Sequence, residues 1–435
     1  MTPMTRRVAA ITAAAALSLG AAPALAKDHD HGKLRFATFN ASVNRNADGQ
    51  LVQELSNGDD PQLRNVAEII QRVRADVLLV NEFDFVPDEQ AARLFQRNYL
   101  SVPQNGARAI RYRYRFVAPS NTGIASGKDL DNDGQVVTQP GSGAYGNDSF
   151  GFGEFPGKFG MAVFSRERID FKRVRTFQHF LWKDMPGALL PDDPATPGPQ
   201  DWYSPDELGV FRLSSKSHWD LPLKLKGGRR VHFLVSHPTP PVFDTAEDRN
   251  GKRNHDEIRF WADYVTPGAS DYIYDDNGRH GGLRRGDHFV IAGDQNADPF
   301  DGDGVDHAIR QLLDNPRVNA SVTPTSPGGP QQSQLQGGAN TTHQGDPAND
   351  TADFADGAPG NLRADYVLPD RDIRIRNSFV FWPLNNDPLF PLVGTFSLAL
   401  LPDGNGFPSS DHRLVAVDVD VPKGHGRHHG NGGRR

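Results

Sequence analysis

Val290-Ile291-Ala292-Gly293-Asp294-Gln295-Asn296-Ala297-Asp298-Pro299 is an apolar run that ends in Gly293, Asp294 and Asn296. A buried strand stopping there delivers a carboxylate and an amide, two residues apart, to the same side of a sheet edge. Taken alone, Gly, Asp and Asn also punctuate an ordinary turn. Four other apolar runs end the same way. Leu34-Arg35-Phe36-Ala37-Thr38-Phe39 ends in Asn40, Val77-Leu78-Leu79-Val80 in Asn81 and Glu82, and Val231-His232-Phe233-Leu234-Val235-Ser236 in His237; Ser409-Ser410-Asp411-His412 precedes Leu414-Val415-Ala416-Val417. Five strand ends carrying Asn, Glu, His, Asp/Asn and Asp/His are hard to explain as five unrelated turns.

With 435 residues, 37% hydrophobic and 23% charged, the chain is ordinary for a globular protein and long enough for one large domain or two smaller ones. Near the N-terminus Arg6 and Arg7 precede an apolar stretch from Val8 to Leu19 and then Ala24-Leu25-Ala26, the layout of an export signal with a small-residue cleavage site. Residues 1–26 therefore read as a signal peptide, with a mature start near Lys27 and a secreted, extracellular or periplasmic destination. The apolar stretch is shorter than the ~20 residues a spanning helix needs, so no membrane span is expected. Whether Arg6-Arg7 marks general or twin-arginine export stays open. Without cysteine there is no disulfide framework and no thiolate nucleophile or ligand. A formal net charge of -7 gives no global attraction for nucleic acid, which binds by having its phosphates neutralised, although a local basic patch is compatible with it.

Within Pro61–Arg74, Leu63, Val66, Ile69, Ile70 and Val73 recur at helical spacing, which predicts a surface helix with a core face. Arg111-Tyr112-Arg113-Tyr114-Arg115-Phe116 alternates at strand period, either as a half-exposed strand with an arginine face or as a ribbon that grips phosphates or bases. Asp129, Asp131 and Asp133 stand at alternate positions before Gly134, the opening of a calcium loop. Pro140 occupies the place where an EF-hand needs glutamate, which leaves a looser calcium loop or a solvated acidic turn. Lys216 and His218 share one face of an alternating run and would meet an anionic substrate, unless that face is simply exposed. Asn254–Tyr264 and Val305–Leu313 read as helices, and Asp298, Asp301 and Asp303 crowd the loop after the opening motif as a second, weaker place for an ion. Stretches near 120–157, 184–208 and 321–360 read as insertions, the last as a lid or mobile segment. Arg363–Leu368 reads as a strand that begins with a carboxylate, and 422–435 as a disordered, low-complexity tail.

Glu82, Asp294, Asp365 and Asp411, with Asn40, Asn296, His237 and His412, form a set in which oxygen ligands outnumber histidines. Such a set suits a hard ion (magnesium, manganese or calcium) better than zinc. Hard-ion chemistry favours phosphate, whose transfer needs a metal on the phosphoryl oxygens, a base for the water and donors for the transition-state charge. In chain order T-F-N, N-E-F, S-H-P, G-D-Q-N, A-D-Y and S-D-H, spanning about Leu34 to Val421, resemble the endonuclease/exonuclease/phosphatase superfamily. That superfamily includes pancreatic-type deoxyribonucleases, abasic-site endonucleases, neutral sphingomyelinases and inositol polyphosphate phosphatases.

The resemblance implies an α+β fold over 27–421, a four-layer α/β/β/α sandwich with two central, mostly antiparallel sheets. It also implies that Glu82 holds Mg2+ or Mn2+ with Asn40 and Asp411 at or near the ion, and that His237 donates to the phosphate. Asp294 and Asn296 would position or deprotonate the water and hold the phosphate, and Asp365 would orient His412, which competes with Asp294 as general base. A carboxylate beside a histidine fixes its tautomer and stabilises the imidazolium. Many nucleases of the family carry a Tyr or His near the region Phe159 to Phe164, where this chain offers no aligned polar residue, so nucleic acid and a smaller phosphate ester both remain as substrates. The expectation is an exported, monomeric, metal-dependent phosphoesterase. A catalytically silent binding protein on the same fold is the alternative, and the intact acid, amide and histidine set argues against it.

Overall fold

The computed structural model describes residues 33–401 and 405–422. The expected signal peptide, and the expected tail beyond Pro422, lie outside the described residues. In chain order the strands are β1 (Leu34–Asn40), β2 (Val77–Asn81), β3 (Tyr114–Phe116), β4 (Met161–Ser165), β5 (Arg168–Ile169), β6 (Arg175–Thr176), β7 (His218–Lys224), β8 (Arg230–Ser236), β9 (Phe289–Asp294), β10 (Ala352–Asp353), β11 (Asn361–Leu362), β12 (Asp365–Pro369), β13 (Arg374–Val380) and β14 (Val415–Asp420). One sheet runs β13-β14-β1-β2-β4-β3; the other runs β12-β9-β8-β7-β5, with β6 also on β7. Pairing within both sheets is antiparallel except for β1 with β2 and β8 with β9.

Strand period explains the layering. Val290 and Ala292 of β9 and Val367 of β12 point into the core shared with the first sheet, while Phe289, Ile291, Tyr366 and Leu368 point the other way, onto a second core containing Trp261 and Tyr264. Phe36 and Phe233 meet across the inner layer at a ring separation of 5.5 Å. The second core is roofed by the helix Arg249–Val265, longer than the predicted Asn254–Tyr264. The helix Pro61–Val73 buries the predicted face against the first sheet's core. Asp60 caps it by accepting from the Leu63 amide, Pro61 suits its first turn, and Arg74 ends it in the left-handed region. Burying each large aliphatic side chain of that face contributes roughly 1.5–3 kcal/mol.

The two parallel pairs position the site. A parallel pair needs a crossover connection, usually helical, and here the helices Gln50–Asn57 and Pro61–Val73 join β1 to β2 while Arg249–Val265 joins β8 to β9. Within each pair both strands therefore finish at the same edge. Asn40 lies beside Asn81, Val235 beside Ala292, and β12 enters antiparallel with Asp365 opposite Asp294.

Three expectations need correction. Val305–Leu313 is not one helix, because Asp306 and His307 take positive φ (48° and 49°) and only Arg310–Leu313 is α-helical. The arginine-rich ribbon forms a strand only over Tyr114–Phe116, at the end of its sheet. The stretch 321–360 is not a free lid: it folds into the helix Gly328–Gln336, short 3-10 turns and β10, which pairs with β11. No helix among the described residues is long and apolar enough to cross a membrane.

Candidate active site

Backbone geometry first brings the polar strand ends together. A Cβ built on Gly293 would lie 2.0 Å from the Ser236 carbonyl oxygen, so only glycine lets β9 run this close to β8 just before Asp294. Asn296 turns through the left-handed region (φ 50°), which asparagine tolerates, and its N–H donates to Asp294 Oδ1 at 2.9 Å. Its side-chain amide donates to the Pro238 carbonyl at 3.1 Å. Glu82 also has positive φ (55°), a strained conformation of the kind found where a side chain must be aimed. Asn81, which was read only as part of a motif, is fully buried and ties the sheets: its Oδ1 accepts from Thr38 at 3.2 Å and from the Asp294 amide at 3.4 Å, and its Nδ2 donates to Ser236 at 3.5 Å.

On one side of the site stand Asn40, Glu82 and Asp411. Asn40 Nδ2 donates to Glu82 Oε1 at 3.1 Å and to Asp294 Oδ2 at 3.0 Å, while its Oδ1 accepts from the Ser42 amide at 3.2 Å. Asn40 is thus placed as a donor that spans the two carboxylates. Asp411 accepts from the Ser42 hydroxyl at 2.8 Å and from Asn405 at 2.7 Å. Burial, reinforced by the Asp411 charge, pushes the Glu82 carboxyl up to about 7. Asp411 acts on Glu82 as a like charge, and among the described residues no cationic side chain is bonded to Glu82; a divalent ion would relieve that, so this donor set fits Mg2+ or Mn2+.

On the other side His412 Nδ1 bonds Asp365 Oδ2 at 2.8 Å, and His412 Nε2 stands 3.7 Å from Asp294 Oδ2. His237 Nε2 lies 3.4 Å from the same oxygen, while its buried Nδ1 has no hydrogen-bond partner among the described residues. Burial opposes charge on His412, but Asp365 and Asp294 overcome it and hold the imidazole well above its ordinary range. Burial would raise Asp294, yet the imidazoles of His412 and His237 hold its carboxyl below the usual range. Burial and Lys216 push His237 down to about 4, whereas burial raises Asp365 to about 6 against the pull of His412. Ligand atoms of Asp294, Asp365 and His412 lie within 4.8 Å of one another, as in a metal cluster. Within this trio Asp365 and His412 are already bonded to each other.

The segment 321–360 completes that set, which the sequence did not reveal. The Thr351 hydroxyl donates to Asp365 Oδ2 at 2.8 Å and accepts from the Asp365 and Ala364 amides at 2.9 and 3.0 Å. Its neighbours pair with the strand end carrying the histidine: Ala352 bridges to His412, the Arg413 amide donates to the Thr351 carbonyl at 2.7 Å, and the Phe354 ring meets His412 edge-on at 5.3 Å.

Other sequence candidates fall elsewhere. His218 turns into the second core, bonded to Ser214 Oγ at 2.6 Å and the Glu257 carbonyl at 2.9 Å, so it does not share a substrate face with Lys216. Lys216 itself is buried, with Nζ 3.4 Å from the Pro238 carbonyl and within electrostatic reach of Glu82 and Asp294. In the acidic loop Asp129 and Asp131 converge with Asp148; Asp133 instead points to solvent and accepts from the Gln135 amide. Asp129 accepts from the amides of Asp133 and Gly134, and Asp148 from those of Leu130 and Val137, bonds that an acidic turn alone accounts for. Asp298 and Asp301 accept backbone N–H groups of their own loop and of Gln344 and Gly345, and Asp303 is exposed.

Comparison with solved structures finds similar chains at low identity. An endonuclease/exonuclease/phosphatase from Beutenbergia cavernae is 15% identical (TM-score 0.44; 90% of this chain, 72% of that chain). Sphingomyelinase C from Streptomyces griseocarneus is 15% identical (TM-score 0.42; 89% and 99%). A Staphylococcus aureus beta toxin with bound magnesium ions is 13% identical (TM-score 0.39; 88% and 99%). None of the curated proteins compared with the chain matches it. The family model does match, over residues 37–412, from within β1 to His412. With nearly the whole folded region covered by that match, the chain belongs to the Endonuclease/Exonuclease/phosphatase family.

Proposed function

We propose that the protein is an exported, divalent-metal-dependent phosphoesterase that cleaves a phosphoester by in-line attack of water. The observation that carries this reading is the division of one edge into an acid pair with no cationic side chain bonded to Glu82 among the described residues (Glu82 with Asp411) and a linked Asp294, His412 and Asp365 set. Glu82 and Asp411 would hold Mg2+ or Mn2+, with Asn40 beside them; when bound, the ion supplies positive charge to the phosphoryl and leaving oxygens. Asp294 remains ionised while His412 carries a proton, so Asp294 is the group able to accept a proton from water as its oxygen attacks phosphorus and the ester P–O bond breaks. His412, aligned by Asp365, and the buried Lys216 direct positive charge to the phosphoryl oxygens, and Asn296 orients Asp294.

The test is to incubate the purified mature protein with magnesium, manganese or calcium and plasmid DNA, RNA, a phosphodiester reporter and phosphomonoesters. Metal-dependent release from at least one substrate, abolished by chelation, is expected; inertness toward all of them with every ion contradicts the reading. Export is checked by N-terminal sequencing of protein recovered outside the cytoplasm, with a start near Lys27 expected and an intact Met1 contradicting it.

A further inference from the structure

Two grooves adjoin on the flank of the first sheet, between β3 and the helical stretch Gln90–Leu100. One, of about 440 Å3, is lined by Arg93, Arg97 and Arg115 with Gln90 and Leu94. The other, of about 590 Å3, has Arg97, Arg111, Arg113 and Arg115 among uncharged residues. Arg97 and Arg115 belong to both, so the grooves are continuous, and neither wall contains an acidic side chain. Arg93, Arg111 and Arg113 are exposed and form no ion pair with the described residues. Among the described residues Arg97 is engaged only by the neutral Asn98 amide oxygen at 3.0 Å, and Arg115 lies 3.5 Å from Glu89. In a chain of net charge -7, five guanidiniums attended by one carboxylate are a local reversal of sign. Alternation produces it: Arg111, Arg113 and Arg115 alternate with Tyr112 and Tyr114, and Tyr112 is buried against Phe164, so the arginines line the open side.

Guanidinium forks match phosphate oxygens in pairs, and a concave path of them follows a backbone that presents phosphates at regular intervals. A membrane-binding face would need exposed apolar anchors beside the basic residues. Here the apolar wall residues Ile110 and Tyr112 are buried and Leu94 is half-buried. The grooves lie toward the far end of the first sheet, where Tyr114 stands opposite Ser165 and Ser165 opposite Val77, and the chain runs from them along β3 toward the site edge. From Arg115 the chain passes through β3 to Asn121, whose amide donates to the Lys216 carbonyl at 2.8 Å. Six extended residues span at most about 20 Å, equivalent to about six base pairs of duplex at 3.4 Å each.

We propose that these arginine-lined grooves form an exosite for the sugar-phosphate backbone of a polynucleotide, which makes a long nucleic acid, and not a small or lipid phosphoester, the substrate of the edge. The link to turnover rests on the phosphoesterase reading above; the binding itself does not.

The experiment combines Arg93→Gln, Arg111→Gln and Arg113→Gln in the full mature chain, leaving Arg115 on Glu89 and using a melting curve to verify folding. Fluorescence anisotropy with labelled single-stranded and duplex oligonucleotides, several times longer than the connecting path, is read against salt concentration. Wild type should bind with a steep salt dependence; the triple variant should lose about 2–3 from the slope of log affinity against log salt and weaken by at least ~10-fold at low salt. Turnover of a small phosphodiester reporter should be unchanged in the variant, while kcat/KM for the long substrate falls. Equal oligonucleotide binding by both proteins would overturn the proposal, as would arginine-dependent binding to phosphatidylserine vesicles in preference to oligonucleotides. Arginine-dependent oligonucleotide binding by a protein that hydrolyses no phosphoester would support the exosite and sink the phosphoesterase reading.

Discussion

Glu82 and Asp294 end neighbouring parallel strand pairs, both are withdrawn from solvent, and both accept from the Asn40 side-chain amide, at 3.1 and 3.0 Å. Their carboxyls nevertheless move in opposite directions. Burial acts on both; at Glu82 the second acid Asp411 adds to it, whereas at Asp294 the imidazoles of His412 and His237 reverse it. One shared amide donor therefore serves two carboxylates whose surroundings differ, and neighbouring charge is the basis for the proposed cation-binding and proton-handling sides.

Breaking either side should separate the roles. The largest expected effect is that of Asp294→Asn, which removes the proposed proton acceptor and should lower kcat by on the order of 10⁴-fold at saturating metal. Glu82→Gln should instead abolish metal-supported turnover without unfolding the chain, recognised as a lost dependence of rate on Mg2+ or Mn2+ concentration. Next in size, His412→Ala should cost on the order of 10²- to 10³-fold in kcat. Asp365→Asn should reproduce part of that loss, and the double variant should be little worse than His412→Ala alone; full additivity would show that the pair does not act as a unit.

A smaller effect is expected one step further out. Thr351→Val keeps the shape but strips Asp365 Oδ2 of a donor and leaves two buried amides unsatisfied, so kcat should fall by roughly 10-fold and the melting temperature should drop. Thr351→Ser should restore both, and a serine variant as impaired as valine would assign the effect to packing.

The smallest effect sharpens the comparison through stability. In metal-free buffer the folded Glu82 retains a proton that the unfolded chain releases, so its contribution falls as pH rises from about 4.5 to about 7. Asp294 is the reverse: its depressed folded pKa contributes stability above the unfolded value, lost as pH falls through the folded one. At neutral pH with chelator, Glu82→Gln should therefore raise the melting temperature and Asp294→Asn should lower it. Equal shifts of the same sign would erase the proposed distinction.

Much of this was legible in the sequence, because a buried strand shows as an apolar run and its functional end as the first polar residues after it. Asp294 and Asp365 fall at the strand boundaries the runs implied, opposite one another. Three-dimensional neighbours were less visible. Thr351 sits in a stretch rich in Gly, Gln, Asn and Pro with no periodicity, and its bonds to Asp365 and the pairing of Ala352 with His412 exist only in the folded chain. Asp148 replaces Asp133 beside Asp129 because the chain folds back there, which local spacing does not encode. β13, Arg-Ile-Arg-Asn-Ser-Phe-Val, is exposed at Arg374, Arg376 and Asn377, buried only at Val380, and has a register shift between Ile375 and Asn377, so it gave no clean period-2 signal.

Titration calorimetry of Mn2+ into wild type, Glu82→Gln and Asp294→Asn tests the division of the edge most directly. Glu82→Gln should weaken binding beyond the ~10- to 100-fold that even outer-sphere changes cause, whereas Asp294→Asn should bind within a few-fold of wild type. Binding that survives Glu82→Gln and disappears in Asp294→Asn would contradict the account.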